Sequence, residues 1–447
     1  MSSVAPPTSS IGQAVSFSQR ALEDFLADRA EPAWLTARRR EALAAFHASS
    51  WPTLRDEEWR RTDIRALKLA SFAPPAADGP ASSDGAWEAV APLWDTLSGH
   101  YGSGIAHVDA RLAKRSIAAD LPSSVVFTTL AEAAVSHPEI LDRYLLTQAV
   151  RPDEDVFSAL HAAFWSSGVL LYVPKGVKVE QPLFHLLALS TEGRVDFNHT
   201  LVVLDEGAEA TLVQESAGSG TTPGLHVGAV ELFVGPEAKL TFVNIQNWDN
   251  QTWHLSRERA VVDRGGSVQW TVGGLGSRLA KVNQDVRLVG EGASAQVNGV
   301  MFTTGRQNLT YITRQDHAAP HTTSDLLYKG GLKDASRIVW RGMIRVEKEG
   351  QRTDAYQKND SLVLSESARA DSIPGLEIEA NDVRCTHGAT AGNVDENMVF
   401  YLLSRGIDRE TAVRLIVEGF FANVYDRITL EPVQETLRQA VAAKLEL

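Results

Sequence analysis

From about residue 168 onward, one pattern returns at a near-constant interval. An apolar, alternating stretch runs into a tight turn, and a small residue then leads into another alternating stretch. The turns read Pro174-Lys175-Gly176, Glu206-Gly207-Ala208, Gly235-Pro236-Glu237, Arg264-Gly265-Gly266 and Glu291-Gly292-Ala293. One glycine from each, at 176, 207, 235, 265 and 292, gives steps of 31, 28, 30 and 27 residues. A period of roughly 20–50 residues marks a repeat architecture, because one short unit cannot bury its apolar face alone and must stack on its neighbours. The unit here is strand–turn–strand with little helical content. Two strands of about five to six residues, plus their turns, nearly fill one step. The pattern therefore predicts a mainly β chain built as a solenoid. A β-sandwich also alternates, but its turns recur every ~8–12 residues. The repeat resumes at 345–354, with a turn at Glu349-Gly350, and runs to about Val383.

The flanks have a different character. Residues 1–15 are rich in Ser, Pro and Ala and are expected to form a loose tail. Residues 16–165 predict a helical and mixed domain. Ala21, Leu22, Phe25 and Leu26 share one helical face, and Pro32 sits at a first-turn position before Leu35, Ala42, Leu43 and Phe46. The stretch 74–85 has loop composition. The solenoid is expected over 166–383 and a C-terminal helical domain over 384–447. In that last part Asn393 and Glu396 have the spacing of a capping box, Gly406 stops the first helix and Asp408 caps the second. Val413, Ile416, Val417, Phe420 and Val424 then form one apolar stripe, and a last helix begins near Pro432. Stacked strands leave open ends that invite pairing with other chains, so both helical flanks are expected to cap the solenoid.

Composition narrows the function. The formal net charge of −13 argues against a broad nucleic-acid surface, which needs clustered Lys and Arg. There is no run of about 18 apolar residues to span a membrane. The N-terminal sequence lacks the basic and apolar regions of a secretion signal. The expected location is cytoplasmic. The chain has one cysteine, so no internal disulfide can form.

That cysteine lies in Cys385-Thr386-His387-Gly388-Ala389-Thr390. Thiolate and imidazole favour zinc, cuprous ions and iron–sulfur clusters. One Cys cannot build a closed structural zinc or cluster site, which takes about four ligands. A site here must draw its other donors from a second subunit or from a transient substrate. The alternative is a structural Cys beside a hydrogen-bonded His. Arg384, on the opposite face of a strand, is given little weight as a neighbour that lowers the thiol pKa. His317 and His321 are four apart, but Pro320 between them disfavours a helix, so they read as loop histidines. The glycine clusters at 218–224 and 273–276 lack the Gly-x4-Gly-Lys phosphate loop. Asp360, Asp371, Glu377 and Glu379 suit a carbohydrate-cleaving solenoid enzyme, or simply the solvated face of alternating strands.

Longer motifs run through 324–425: Tyr328-Lys329-Gly330, Gly342-Met343-Ile344-Arg345-Val346, Gln351 through Asn359, Pro374-Gly375-Leu376-Glu377-Ile378, Asp382 through Thr390, and Phe400 through Ile407. With Pro32-Ala33-Trp34-Leu35 and Glu58-Trp59-Arg60-Arg61-Thr62, they resemble the SufB/SufD family of iron–sulfur cluster assembly proteins. The Cys-x-His-Gly-Ala-Thr form is similar to the SufD branch, whereas Ile416 to Phe420 reads closer to SufB. The resemblance implies a right-handed parallel β-helix flanked by helical domains, acting as a non-catalytic scaffold. It implies that His387 is a cluster or metal ligand, with Cys385 a lesser candidate, at an interface with a SufB-like paralogue. No cluster is then held stably by the chain alone, and the centre is transient in the complex. It further implies docking of a SufC-like ABC-type ATPase on the C-terminal helices, for which Arg405, Ile416, Phe420 and Phe421 are candidates. A carbohydrate-active solenoid, or a structural homodimer without metal, stands as the alternative.

Overall fold

A computed structural model describes residues 15–27, 29, 31–72, 74, 84–190, 195–218, 220 and 223–446. The expected tail lies outside these residues except for Val15, as does most of the 74–85 loop. Two series of strands alternate along the chain and pair in parallel, each with its counterpart one coil earlier and one coil later. One sheet runs from Leu183–Leu189 to Arg384–Asn393, the other from Ser167–Val173 to Arg369–Ile378. The result is a parallel β-solenoid, as the periodicity predicts.

The corners explain the period. Gly176, Gly207, Gly265 and Gly292 all have positive φ, between 62° and 73°. Glu237, His321 and Arg352 adopt the same left-handed conformation at 56°, 57° and 60°. Each donates its N–H to the turn of the next coil, as Gly207 does to Pro236 O and His321 to Gln351 O. The repeat is therefore counted through 176, 207, 237, 265, 292, 321 and 352, with Glu237 rather than Gly235 at the equivalent position. Three of these corners manage without glycine because stacking on both sides holds the turn.

Inside the solenoid, inward side chains form one continuous core that includes Trp270, Trp340, Tyr311 and Tyr328, each almost completely buried. The helices do not cap the ends. The N-terminal helices, α1 (Gln19–Ala27) and α2 (Ala33–Ala48) with α7 (Val156–Phe164), pack on the outer face of one sheet through Leu201, Val203, Phe233 and Leu279. Between α2 and α7 the chain forms α3 (Asp84–Glu88), α4 (Ala91–His100), α5 (Leu130–Ser136) and α6 (Pro138–Tyr144). The C-terminal helices, α8 (Glu396–Ser404), α9 (Arg409–Tyr425) and α10 (Glu431–Glu446), follow the last strand. Residues of α9 and α10 lie on the outer face of the other sheet against Val243, Val300, Phe302 and Leu327. Side coverage follows from the sheets themselves, whose outer faces also carry apolar residues that need burial.

The two ends differ. At the first coil, the hairpin Gly104–Val108 and Arg111–Ser116 adds an antiparallel edge with a register shift at Ala106/His107. The four-residue strand Val126–Thr129 closes the other sheet, also antiparallel. Short, charged or bulged edges resist further pairing. At the last coil no further strand is added among the described residues. The solenoid runs through Asn393, not 383, because Arg384–Asn393 pairs along its whole length with Asp354–Val363. Helix α8 accordingly starts later than the Asn393 capping box would place it. Its N-cap is Asp395, which accepts from Asn397 N, while Asn393 ends a strand.

Candidate site at the open edge

Strand register places the two soft donors. Cys385 lies opposite Ala355 and His387 opposite Gln357. One coil earlier those columns hold Ser324 and Leu326, and one earlier still Ala295 and Val297. Every one of these predecessors is buried. Cys385 and His387 thus occupy inward-facing positions of the last coil, about 6.6 Å apart along the strand. With no coil beyond them, Cys385 is half-buried and His387 is exposed. Cys385 packs at the margin of a small cluster with Ile344, Val346, Ala355 and Ala380.

The backbone at this edge is also unpaired. Arg384 donates its N–H to Thr353 O. In a parallel ladder this turns the N–H and C=O groups of the alternate residues Cys385, His387 and Ala389 away from the sheet. Arg384 points away from the thiol and is bound by the Asp354 carboxylate. Partial burial, and then the charge of Asp354, push the Cys385 thiol above its ordinary value. The free protein therefore holds a protonated thiol at neutral pH, and activating it takes a metal or a cationic partner.

Among the described residues no group of three or more His, Cys, Asp or Glu side chains is arranged to hold a metal ion. The loop histidines are separated by function. His317 ends a strand and is buried, its ring bonded to Thr322 and Ser324 at 2.8 Å each, while His321 is a corner residue. The acidic side chains are occupied by cations. Asp371 meets Arg337 at 2.6 Å, Asp360 meets Lys358 at 3.1 Å, and Glu377 meets Arg345 at 3.4 Å.

The expected docking residues divide. Arg405 is exposed, with its guanidinium 5.2 Å from the Tyr401 ring centre. Ile416 is half-buried. Phe420 is half-buried too, and its ring is covered by Lys329 Nζ at 4.4 Å. Phe421 is fully buried against Phe302 and Tyr425, so it is a packing residue and cannot meet a partner. The apolar stripe of α9 is rotated by about one residue from the one expected, burying Ala412, Val417, Phe421, Val424 and Tyr425. The exposed apolar residues are instead Met398, Phe400, Tyr401 and Leu403 on α8, with Leu415 on α9. Phe400 is 72 % exposed. The run Met398 to Leu403 is apolar all round, and that was the available signal.

Sequence reasoning also missed three buried histidine pairs. His107 and His185 lie 3.0 Å apart, and His226 and His254 stack with 2.8 Å between Nδ1 atoms. His161 bonds His199 at 3.0 Å, and His199 bonds Glu231 at 2.9 Å. Glu231 also accepts the N–H groups of Leu146 and Val150. This last file stitches α7 and its preceding loop to the solenoid.

Fold and site together define a class: a parallel β-solenoid sheathed in helices, with a thiol and an imidazole on an unpaired edge strand. Comparison with known families agrees. The profile for the SUF system FeS cluster assembly SufBD core domain matches residues 187–420, and that for the SufBD protein N-terminal region matches 103–184. An iron–sulfur cluster assembly SufBD family protein of Staphylococcus saprophyticus is 28 % identical over 418 residues, covering 91 % of this chain and 89 % of the relative. Its counterpart in Staphylococcus haemolyticus is 27 % identical over 417 residues, with 91 % and 89 % covered. The chain belongs to the SufBD family of iron–sulfur cluster assembly proteins. No helix of the described residues is long and apolar enough to cross a membrane.

Proposed function

We propose that the chain is a SufD-type scaffold subunit, not itself catalytic, that pairs its open edge with the corresponding edge of a SufB-like paralogue. A nascent iron–sulfur cluster is the cargo at that seam. His387 supplies one ligand and Cys385 is the lesser candidate. The observation that carries this reading is the placement of both donors in core-facing columns of a strand whose outer edge is bare. Pairing the edge would bury those columns and bring a second chain's donors to the same place. An incomplete ligand set on each side leaves the cluster releasable, whereas four thiolates from one chain would retain it.

The exposed face of α8 and α9 suits docking of a SufC-like ABC-type ATPase. This chain has no phosphate loop, so the energy for rearranging the seam would come from that partner. In isolation the same edge permits a homodimer, and the expected location is the cytoplasm. The test is His387→Ala in the reconstituted complex, followed by iron and sulfide content and cluster absorbance. Loss of cluster formation with the complex intact is expected; unchanged assembly rejects the ligand role.

A further inference from the structure

A second site lies far along the chain from Cys385, at a corner of the middle coils. Asp63, Arg65, Trp253, Arg278, Arg306 and Asn308 line an open cleft of about 510 Å³ between the N-terminal segment and the solenoid. Typical small-molecule sites enclose ~300–1,000 Å³. Arg278 and Arg306 come from neighbouring coils, at turns whose left-handed residues are Ser277 (φ 78°) and Gly305 (φ 60°).

The charge balance of this cleft is unusual for the molecule. The chain carries a net charge of −13, and most of its arginines are matched by carboxylates. In the cleft, Asp63 is engaged by Arg65 at 2.6 Å. No carboxylate lies within 4.0 Å of Arg278 or Arg306 among the described residues. Two positive charges that no carboxylate pairs thus line the same cleft. Arg278 is nevertheless held in place: its guanidinium sits 5.2 Å from the ring centre of Trp253, whose indole is buried. Stacking on an indole restrains the side chain without cancelling its charge.

Two planar, uncompensated guanidinium groups match the oxygens of a phosphate, which they can hold with paired hydrogen bonds. The volume exceeds that of inorganic phosphate and leaves room for a ligand body beside the anion. We propose that this cleft binds the phosphate ester of a small polar molecule, with Arg278 and Arg306 on the phosphate and the ligand body filling the rest of the cleft beside Trp253. The site does not depend on the cluster at the open edge.

The test is calorimetric titration of the full chain with ribose 5-phosphate, AMP and inorganic phosphate. The wild type is compared with the double variant R278Q/R306Q and with R264Q, which removes a paired arginine at another corner. Thermal melts establish that all three are folded. Saturable binding of at least one ester is expected, several-fold tighter than inorganic phosphate, weakened about tenfold or more in R278Q/R306Q and unchanged in R264Q. The proposal falls if the wild type binds neither ester at about 5 mM, or if R278Q/R306Q binds as the wild type does. Equal affinity for inorganic phosphate overturns the ester assignment, and displacement by a polyglutamate peptide at matched charge overturns the built site.

Discussion

Gln357 and His387 occupy the same lateral position in adjacent strands of one sheet, yet Gln357 is completely buried and His387 is exposed. Among the described residues no strand lies beyond His387, and that accounts for the difference. The proposed seam is therefore a backbone interface first. Ala389→Pro removes an N–H from the open side while sparing the bonds to Asp354–Val363. It is expected to leave the melting temperature within a few degrees of wild type and to weaken association with the paralogue at least about tenfold. Thr386→Pro, whose N–H faces the neighbouring strand, is expected to destabilise the last coil. Size-exclusion chromatography with thermal melts checks both, and full association by A389P would reject the edge as the contact.

Cys385 offers a pH test. Partial burial, then Asp354, raise its thiol pKa. The thiolate form is thus disfavoured, and alkylation by iodoacetamide should gain speed only at a pH above that of an ordinary thiol. Asp354→Asn removes the repelling charge, so the alkylation midpoint is expected to move down. A midpoint unmoved in D354N would show that Asp354 does not act on the sulfur.

The outer helices separate docking from packing. Phe400→Asp changes an exposed side chain and is expected to alter stability by less than ~0.5 kcal/mol while abolishing capture of the ATPase partner. Phe421→Ala opens a cavity and is expected to cost about 3–5 kcal/mol. Denaturant titration and pull-down with the purified ATPase distinguish the two. An F400D variant that still binds normally places the docking surface elsewhere.

A buried carboxylate sets a pH dependence inside the solenoid. Burial raises Glu258 to about 7, against which Ser256 and Asn244 donate hydrogen bonds. In the unfolded chain it ionises near 4.3. Below that pH both states are protonated and Glu258 contributes no difference. As pH rises from about 4 to 7 the unfolded state releases its proton first, so folding is progressively disfavoured, by on the order of 3 kcal/mol at the plateau. Glu258→Gln lacks this titration. Its stability relative to wild type should therefore climb between about pH 4 and 7 and level off above, read by urea denaturation at each pH. A pH-independent difference would rule out an elevated Glu258 pKa.

The solenoid was legible because each coil must bury an inward face and turn a corner, and both needs recur in the chain. Its end was less so. The last strand carries Gly388, Ala389, Ala391 and Gly392, with Thr386 and Thr390 as its only β-branched residues, so its composition signals a strand weakly. Register alone identifies it as a strand. Cys385 and His387 drew notice as soft donors two apart, but their inward direction depends on pairing with Ala355 and Gln357, which are about 30 residues away. The histidine pairs were invisible for the same reason: His161 meets His199 only when α7 packs on the solenoid, and His226 meets His254 only when coils stack. Phe420 and Phe421 show the limit on a helix, where a rotation of one residue decides which is buried.

The asymmetry of the two solenoid ends limits what the molecule can assemble into. The antiparallel hairpin bearing Arg111, Lys114 and Arg115 covers one terminus, so pairing through the proposed seam would give each copy a valence of one. Such a unit would make dimers and stop there. A stack of identical β-coils sticky at both termini would instead grow into fibrils.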